Sequence, residues 1–220
     1  VIVVIVAGGS IDEKFTGGFI EDLDESSLFL IACDKGYEAC ERMGFKPDIL
    51  IGDFDSASSD VSRRAEKAGV QVITLNPVKD DTDTEAALDL AIERTTEEDE
   101  IFLLGVTGTR LDHVLGNISL VGKGLKAGRV VTMLDSHNSL QMIQPGETYV
   151  VEKGYEFGKY ISVFPYMGPV KGLNMTGFKY PVKDGEIQGF STLTVSNELL
   201  EDEGEISIEE GTLIVIESLD

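Results

Sequence analysis

Tryptophan is absent from the 220 residues, and cysteine and histidine occur only twice each. Two thiols in a chain of this length, Cys33 and Cys40, do not build a disulfide framework. They lack the paired spacing of a zinc site, so both read as reduced thiols. Basic residues are also scarce: 18 Lys and Arg stand against 40 Asp and Glu, a formal net charge of −22. A surface this acidic repels nucleic acid and anionic membranes. It repels free nucleotides too, so a nucleotide site here needs a divalent cation and local donors. No apolar run approaches the length of a membrane span. Residues 1–6 are apolar but too short for a signal peptide and carry no basic leader, so the expected location is the cytoplasm. Three catalytic fingerprints are missing. The absence of G-x-G-x-x-G, of G-x-x-x-x-G-K-[ST] and of G-x-S-x-G argues against a dinucleotide dehydrogenase, a Walker-type ATPase and an elbow-type serine hydrolase.

What is present divides at about residues 135–140. Before that point, short Val/Ile/Leu-rich runs at 1–6, 28–33, 48–51, 70–75, 101–104 and 129–134 read as buried strands. Helical stretches fall between them at 37–43, 58–68, 83–94 and 111–126. In the last, Leu111, Val114, Leu115, Ile118, Val121 and Leu125 form one apolar stripe. Such alternation predicts a parallel sheet with helices on its faces. Beyond the division, Gly and Pro punctuate short alternating segments at 148–152, 160–164, 193–195, 205–208 and 212–217, the pattern of an antiparallel β-sandwich or roll. The acidic clusters 97–100 and 201–203 read as solvated loops.

In an open parallel sheet, ligands bind at the carboxyl ends of the strands. The residues following each expected strand are therefore the candidates. They are Gly8 and Gly9; Asp34 and Gly36; Asp53-Phe54-Asp55; Asp80 to Asp83; and Gly105 to His113. In an extended segment, Asp53 and Asp55 face the same side and Phe54 turns into packing. Two adjacent carboxylates repel unless a cation sits between them or one takes a proton. Mg²⁺ favours such oxygen ligands, although Asp is equally common in ordinary turns. Thr82 and Glu85 make a capping box, which places Asp83 in the first turn of a helix. There it either complements the helix dipole or adds a carboxylate to the same cation. Arg110 precedes another helix start, a setting suited to phosphate, unless it pairs with Asp112. His113 and Asn117 lie one turn apart on that helix.

These segments, in this order, resemble the thiamin pyrophosphokinase family. The matching pieces are Asp34-x-Gly36; Pro47-Asp48 leading to Gly52-Asp53-Phe54-Asp55-Ser56; Asp80-x-Thr82-Asp83 with Glu85; Gly105-x-Thr107-Gly108-x-Arg110-x-Asp112-His113 with Asn117; Gly177-Phe178-Lys179-Tyr180-Pro181; and Ser196-Asn197-Glu198. The resemblance implies an α/β fold: an N-terminal, Rossmann-like, parallel-sheet domain over residues 1–136 that binds ATP, then a C-terminal antiparallel β-sandwich over 137–220 that binds thiamin and dimerises. It implies that Asp34, Asp53, Asp55 and Asp83 surround Mg²⁺ and the phosphates, with Asp53, Asp55 and Asp83 as metal ligands. Gly8, Gly9, Gly36, Thr82, Gly108, Arg110, Asp112, His113 and Asn117 are the expected nucleotide contacts, and Asp80, Ser196 and Asn197 the substrate-side ones. Lys35 and Tyr37 depart from the small residues often found around the first Asp-x-Gly; Lys35 either approaches a phosphate or is a surface lysine, and the surface reading is preferred. With no Trp, any aromatic platform for thiamin must come from Phe or Tyr.

The implied reaction moves the diphosphate of ATP to the hydroxyl of thiamin, giving thiamin diphosphate and AMP. A homodimer with thiamin between subunits is the implied assembly, with neither nucleic acid nor membrane as a partner. Three alternatives remain open at this point: a pyrophosphokinase for another heterocyclic alcohol, such as a hydroxymethylpterin; a non-catalytic sensor of nucleotide or thiamin; and a purely structural α/β protein with an acidic surface.

Overall fold

A computed structural model describes residues 1–54, 57, 60–76, 81–189 and 191–220. It divides into two compact units, Val1–Ser136 and His137–Asp220.

The first unit contains strands β1 (Ile2–Val6), β2 (Leu28–Cys33), β3 (Ile49–Gly52), β4 (Gln71–Thr74), β5 (Glu100–Leu104) and β6 (Val130–Leu134). Between them lie helices α1 (Glu13–Glu21), α2 (Gly36–Met43), α3 (Val61–Lys67), α4 (Asp83–Arg94) and α5 (Leu111–Lys126). The strands are parallel and run in the order β4-β3-β2-β1-β5-β6. Val3 to Val6 of the central strand β1 are fully buried, as a strand covered on both faces requires. Helix α1 packs against α2 and α4 against α5, the arrangement of a doubly wound sheet. Successive strands step away from β1 in one direction as far as β4, then restart at β5 on its other side. The crevice above β1 and β5 is thus the topological switch point. Register aligns the strand ends there, with Val6 beside both Ala32 and Leu104.

Helix α1 has no counterpart in the sequence reading, because Gly17 and Gly18 weaken its periodicity. Its start is nevertheless well marked: Asp12 accepts hydrogen bonds from the Lys14 and Phe15 amides, both at 3.1 Å. The apolar stripe expected on α5 holds toward its C-terminal end, where Val121 and Leu125 are buried, and fails at its start. Its buried face centres on Asn117, Val121 and Gly124, whereas Leu111 and Leu115 are 73% and 65% exposed. Glycines and an inward-bonding Asn form part of the packed face, and apolar periodicity alone does not register them.

The second unit is a sandwich of two antiparallel sheets. One holds β7 (Asn138–Ile143), β13 (Leu213–Ser218) and β9 (Tyr160–Pro165), with β13 central. The other runs β11 (Val182–Ile187), β10 (Val170–Thr176), β12 (Glu203–Ser207) and β8 (Thr148–Glu152). Inward residues of both sheets, including Val163, Val215, Leu173 and Ile206, share one apolar core. Glu217 occupies the core-facing phase of β13 and is 6% exposed. Its carboxylate is satisfied by the Tyr149 hydroxyl at 2.7 Å and the Phe157 amide at 2.8 Å. Burial, and secondarily the proximity of that carboxylate, push the Tyr149 hydroxyl well above the usual phenol range. The expected strand at 193–195 is instead a turn, with Leu193 88% exposed and Ser196 left-handed at φ 60°. Strand β10 escaped the pattern because register shifts interrupt its pairing with β11 and Gly172 takes φ 64°.

Candidate active site

A pocket of about 450 Å³ opens at the switch point. Its walls are the loops after β1 (Ala7 to Ser10), after β2 (Asp34, Lys35) and after β5 (Gly105 to Arg110), closed by the starts of α4 and α5. The first and third loops are fastened together. Ala7, Gly9 and Ser10 amides donate to the carbonyls of Leu104, Gly105 and Thr107, each at 2.8 Å. A Cβ at Gly9 would run into the Thr107 and Gly105 carbonyl oxygens, so the approach demands glycine.

Three carboxylates from distant parts of the chain meet at this end of the sheet. Asp34 follows β2, Asp53 follows β3 and Asp83 opens α4; one oxygen from each lies within 4.8 Å of the others. Asp34 is buried, and Asp53 and Asp83 are half-buried. The backbone explains the convergence. Asp34 is left-handed, with φ 51°, and its amide donates to the Ile51 carbonyl at 3.2 Å, tying the end of β2 to β3. Its Oδ1 accepts from the Phe54 amide at 3.1 Å. Thr82 caps α4 by accepting from the Glu85 amide at 3.1 Å, which sets Asp83 in the first turn. The Glu85 carboxylate itself accepts from Lys123 Nζ at 2.9 Å. Cys33 Sγ lies 3.8 Å from the Asp83 carbonyl oxygen.

The extended reading of 53–55 requires correction at Phe54. That residue is left-handed, with φ 61°, and half-buried, so the chain turns there rather than alternating. The hydrogen bond from the Phe54 amide to the Asp34 carboxylate holds the turn. Asp55 and Asp80, both named from sequence, lie outside the described residues.

On the β5–α5 side, Arg110 and His113 line the pocket and are exposed, and Asn117 is buried in its wall. Asn117 Nδ2 donates to the Val106 carbonyl at 2.8 Å and so fixes the loop after β5. Arg110 grips Asp112 through Nε at 3.2 Å and a second nitrogen at 2.6 Å. Hydrogen bonds from that guanidinium bring the Asp112 carboxyl down to about 2. Gly8, Gly9, Thr82 and Gly108 also line the pocket, and Gly36 begins α2 directly behind Lys35. Ser196 and Asn197 belong to the second unit. The Ser196 amide donates to Ser162 Oγ at 3.0 Å. The buried Asn197 side chain donates to the Tyr180 carbonyl at 2.8 Å and accepts from the Tyr180 amide at 3.0 Å, which clamps the segment before β11. Lys35, read as a surface residue, lies on the pocket's rim, and Tyr37 behind it is a core residue at 2% exposure.

Comparison with known proteins gives this geometry a family. Residues 20–133 match the thiamin pyrophosphokinase catalytic domain, and residues 148–213 its vitamin B1 binding domain. The chain is 41% identical over 220 residues to thiamine pyrophosphokinase of Bacillus subtilis, covering 98% of each. Crystal structures of thiamin pyrophosphokinases from B. subtilis and Geobacillus thermodenitrificans superpose with TM-scores of 0.88 and 0.84 at 38% and 35% identity. These alignments cover all of this chain and 100% and 98% of the respective relatives. The yeast thiamin pyrophosphokinase, at 14% identity, has the same fold with a TM-score of 0.79 over 99% of this chain and 86% of its own. Two domain matches in sequence order and full-length similarity in both sequence and fold place the chain in one group: it belongs to the thiamin pyrophosphokinase family.

Proposed function

We propose that this protein is a thiamin pyrophosphokinase, transferring the diphosphate of ATP to the hydroxyl of thiamin and releasing AMP. The observation that carries the reading is the meeting of Asp34, Asp53 and Asp83 within 4.8 Å beside a pocket at the switch point. Three carboxylate oxygens so close are a donor set of the hard, all-oxygen kind that fits Mg²⁺. Asp34, Asp53 and Asp83 would hold the ion, with Asp55 as a further expected ligand. Bound there, it would supply charge neutralisation to the phosphate oxygens.

The chain's own groups supply the positioning. Phosphoryl chemistry of this type depends chiefly on alignment and charge stabilisation. Gly9 lets the loops after β1 and β5 close on each other, Gly8 and Gly108 line the pocket beside it, and Gly36 begins the helix beneath it. Arg110 and His113 stand at the N-terminal end of α5, where backbone amides and dipole favour an anion. Asp112 holds the guanidinium in place. Asn117 keeps the Val106 carbonyl drawn into the wall, and Thr82 holds Asp83 in its helix-start position. In the reaction, the thiamin hydroxyl oxygen attacks the β-phosphorus of ATP and loses its proton to solvent, the bond from that phosphorus to the α-phosphate oxygen breaks, and AMP departs.

The same proposal assigns ATP binding to the first unit and thiamin binding to the second, with Asp80, Ser196 and Asn197 on the substrate side. It places the protein in the cytoplasm as a homodimer with thiamin between subunits. No helix among the described residues is long and apolar enough to cross a membrane.

Purified protein incubated with ATP, Mg²⁺ and thiamin tests the reading. Stoichiometric AMP and thiamin diphosphate are expected, both abolished by chelation. AMP release with a hydroxymethylpterin but not with thiamin would reassign the substrate. Ligand binding without AMP from any alcohol would make the protein a sensor. Light scattering at twice 23.9 kDa checks the dimer.

A further inference from the structure

The pocket holds two cationic side chains among its described lining residues, Lys35 and Arg110, and they differ in commitment. Arg110 already spends two nitrogens on Asp112. Lys35 is exposed, and among the described residues no carboxylate lies within ion-pair distance of its Nζ.

Its position is set by the backbone. Asp34 is left-handed at φ 51°, whereas Lys35 is helical at φ −61° and ψ −19°, the first step into α2. Consecutive side chains therefore part: the carboxylate goes to the buried cluster and the lysine to the rim. The stem of Lys35 is seated against the β1 loop, since a Cβ built at Gly8 comes 3.2 Å from Lys35 Cβ. The Lys35 carbonyl accepts from the Ala39 amide at 3.3 Å, which anchors the residue in the helix start.

The charge balance gives this placement a purpose. Three carboxylates and a polyphosphate leave an excess of negative charge that one divalent ion does not cancel. A chain at −22 overall offers no general positive field to make up the difference. A lysine ammonium on a flexible stem is a suitable point-charge partner for phosphate. We propose that Lys35 is a phosphate-binding residue of this site, reaching the nucleotide's polyphosphate from the β2–α2 side while Arg110 lies on the β5–α5 side. The assignment rests on the reading of the pocket as a nucleotide site.

Binding of Mg²⁺ with α,β-methylene-ATP, measured by titration calorimetry, tests it independently of turnover. One charge-assisted contact corresponds to roughly ten- to hundred-fold in affinity. Lys35→Met is expected to lose that much for the analogue, to bind adenosine as wild type does, and to keep the wild-type melting temperature. Lys35→Arg is expected to recover most of the loss. Unchanged affinity in Lys35→Met, a loss that adenosine shares, or no recovery with arginine would overturn the assignment. If wild type itself fails to bind the analogue, the nucleotide reading of the pocket falls first.

Discussion

Neutralising one member of the carboxylate cluster should stabilise the metal-free protein while removing its response to Mg²⁺. The three oxygens lie within 4.8 Å of one another, so the cluster contains three like-charge pairs. At that separation each pair costs about 0.9 kcal/mol in water-like surroundings and about 3.5 kcal/mol at an effective dielectric of 20. Asp53→Asn removes two of the three pairs and keeps the side-chain shape. Asp53 and Asp83 are half-buried, so water screens them, and the lower figure applies: relief of about 2 kcal/mol. For a chain of this size that corresponds to a melting temperature roughly 4–8 °C above wild type in the presence of chelator. Saturating Mg²⁺ should reverse the order. An ion at a hundred times its dissociation constant stabilises wild type by about 2.7 kcal/mol, and the variant by much less. Thermal unfolding by circular dichroism, with chelator and then with a Mg²⁺ series, reads both effects. A variant that melts below wild type in chelator, or that gains as much from Mg²⁺, would refute the electrostatic argument.

Three further expectations come from the pocket wall and the core. Arg110→Ala should raise KM for ATP severalfold with an unchanged melting temperature, because its partner Asp112 is as exposed as Arg110 itself; steady-state kinetics beside a melt separates the two. Asn117→Ala deprives the Val106 carbonyl of its buried donor and should cost about 1–2 kcal/mol in urea unfolding, together with a fall in kcat/KM as the loop after β5 loosens. Cys40 should resist Ellman's reagent at pH 8 until the protein is unfolded, since burial pushes its thiol up from 9.0 to about 12. The unfolded chain releases that proton first, so this group's contribution to stability declines as pH rises above about 9.

The parallel sheet was legible because fully buried strands are continuous apolar runs closed by polar turns, as at 28–33 and 101–104. The same rule located the cluster: Asp34 and Asp53 come directly after β2 and β3, and Thr82 announced the helix that carries Asp83. Features that depend on backbone handedness were not legible. The left-handed turn at Phe54 is held by a hydrogen bond from its amide to a carboxylate 20 residues earlier, and side-chain alternation carries no sign of it. The exposed leucines of α5 share a stripe with its buried Val121 and Leu125, and apolar spacing is blind to the asparagine that bonds into the wall instead. In the sandwich, Glu217 sits in a core-facing phase that its residue type contradicts, and only the Tyr149 hydroxyl and the Phe157 amide explain it. Bulged strands such as β10 lose the period of two by which strands are recognised.

The three-rung fastening between the segments after β1 and β5 constrains how homologous chains can vary. An inserted or deleted residue between Ala7 and Ser10 would shift the rungs that follow it against the carbonyls of the segment after β5. Length change on one segment therefore requires a matching change on the other. Relatives should diverge in length at other surface connections first and preserve these two segments as a pair, which alignment gaps across the family can reveal.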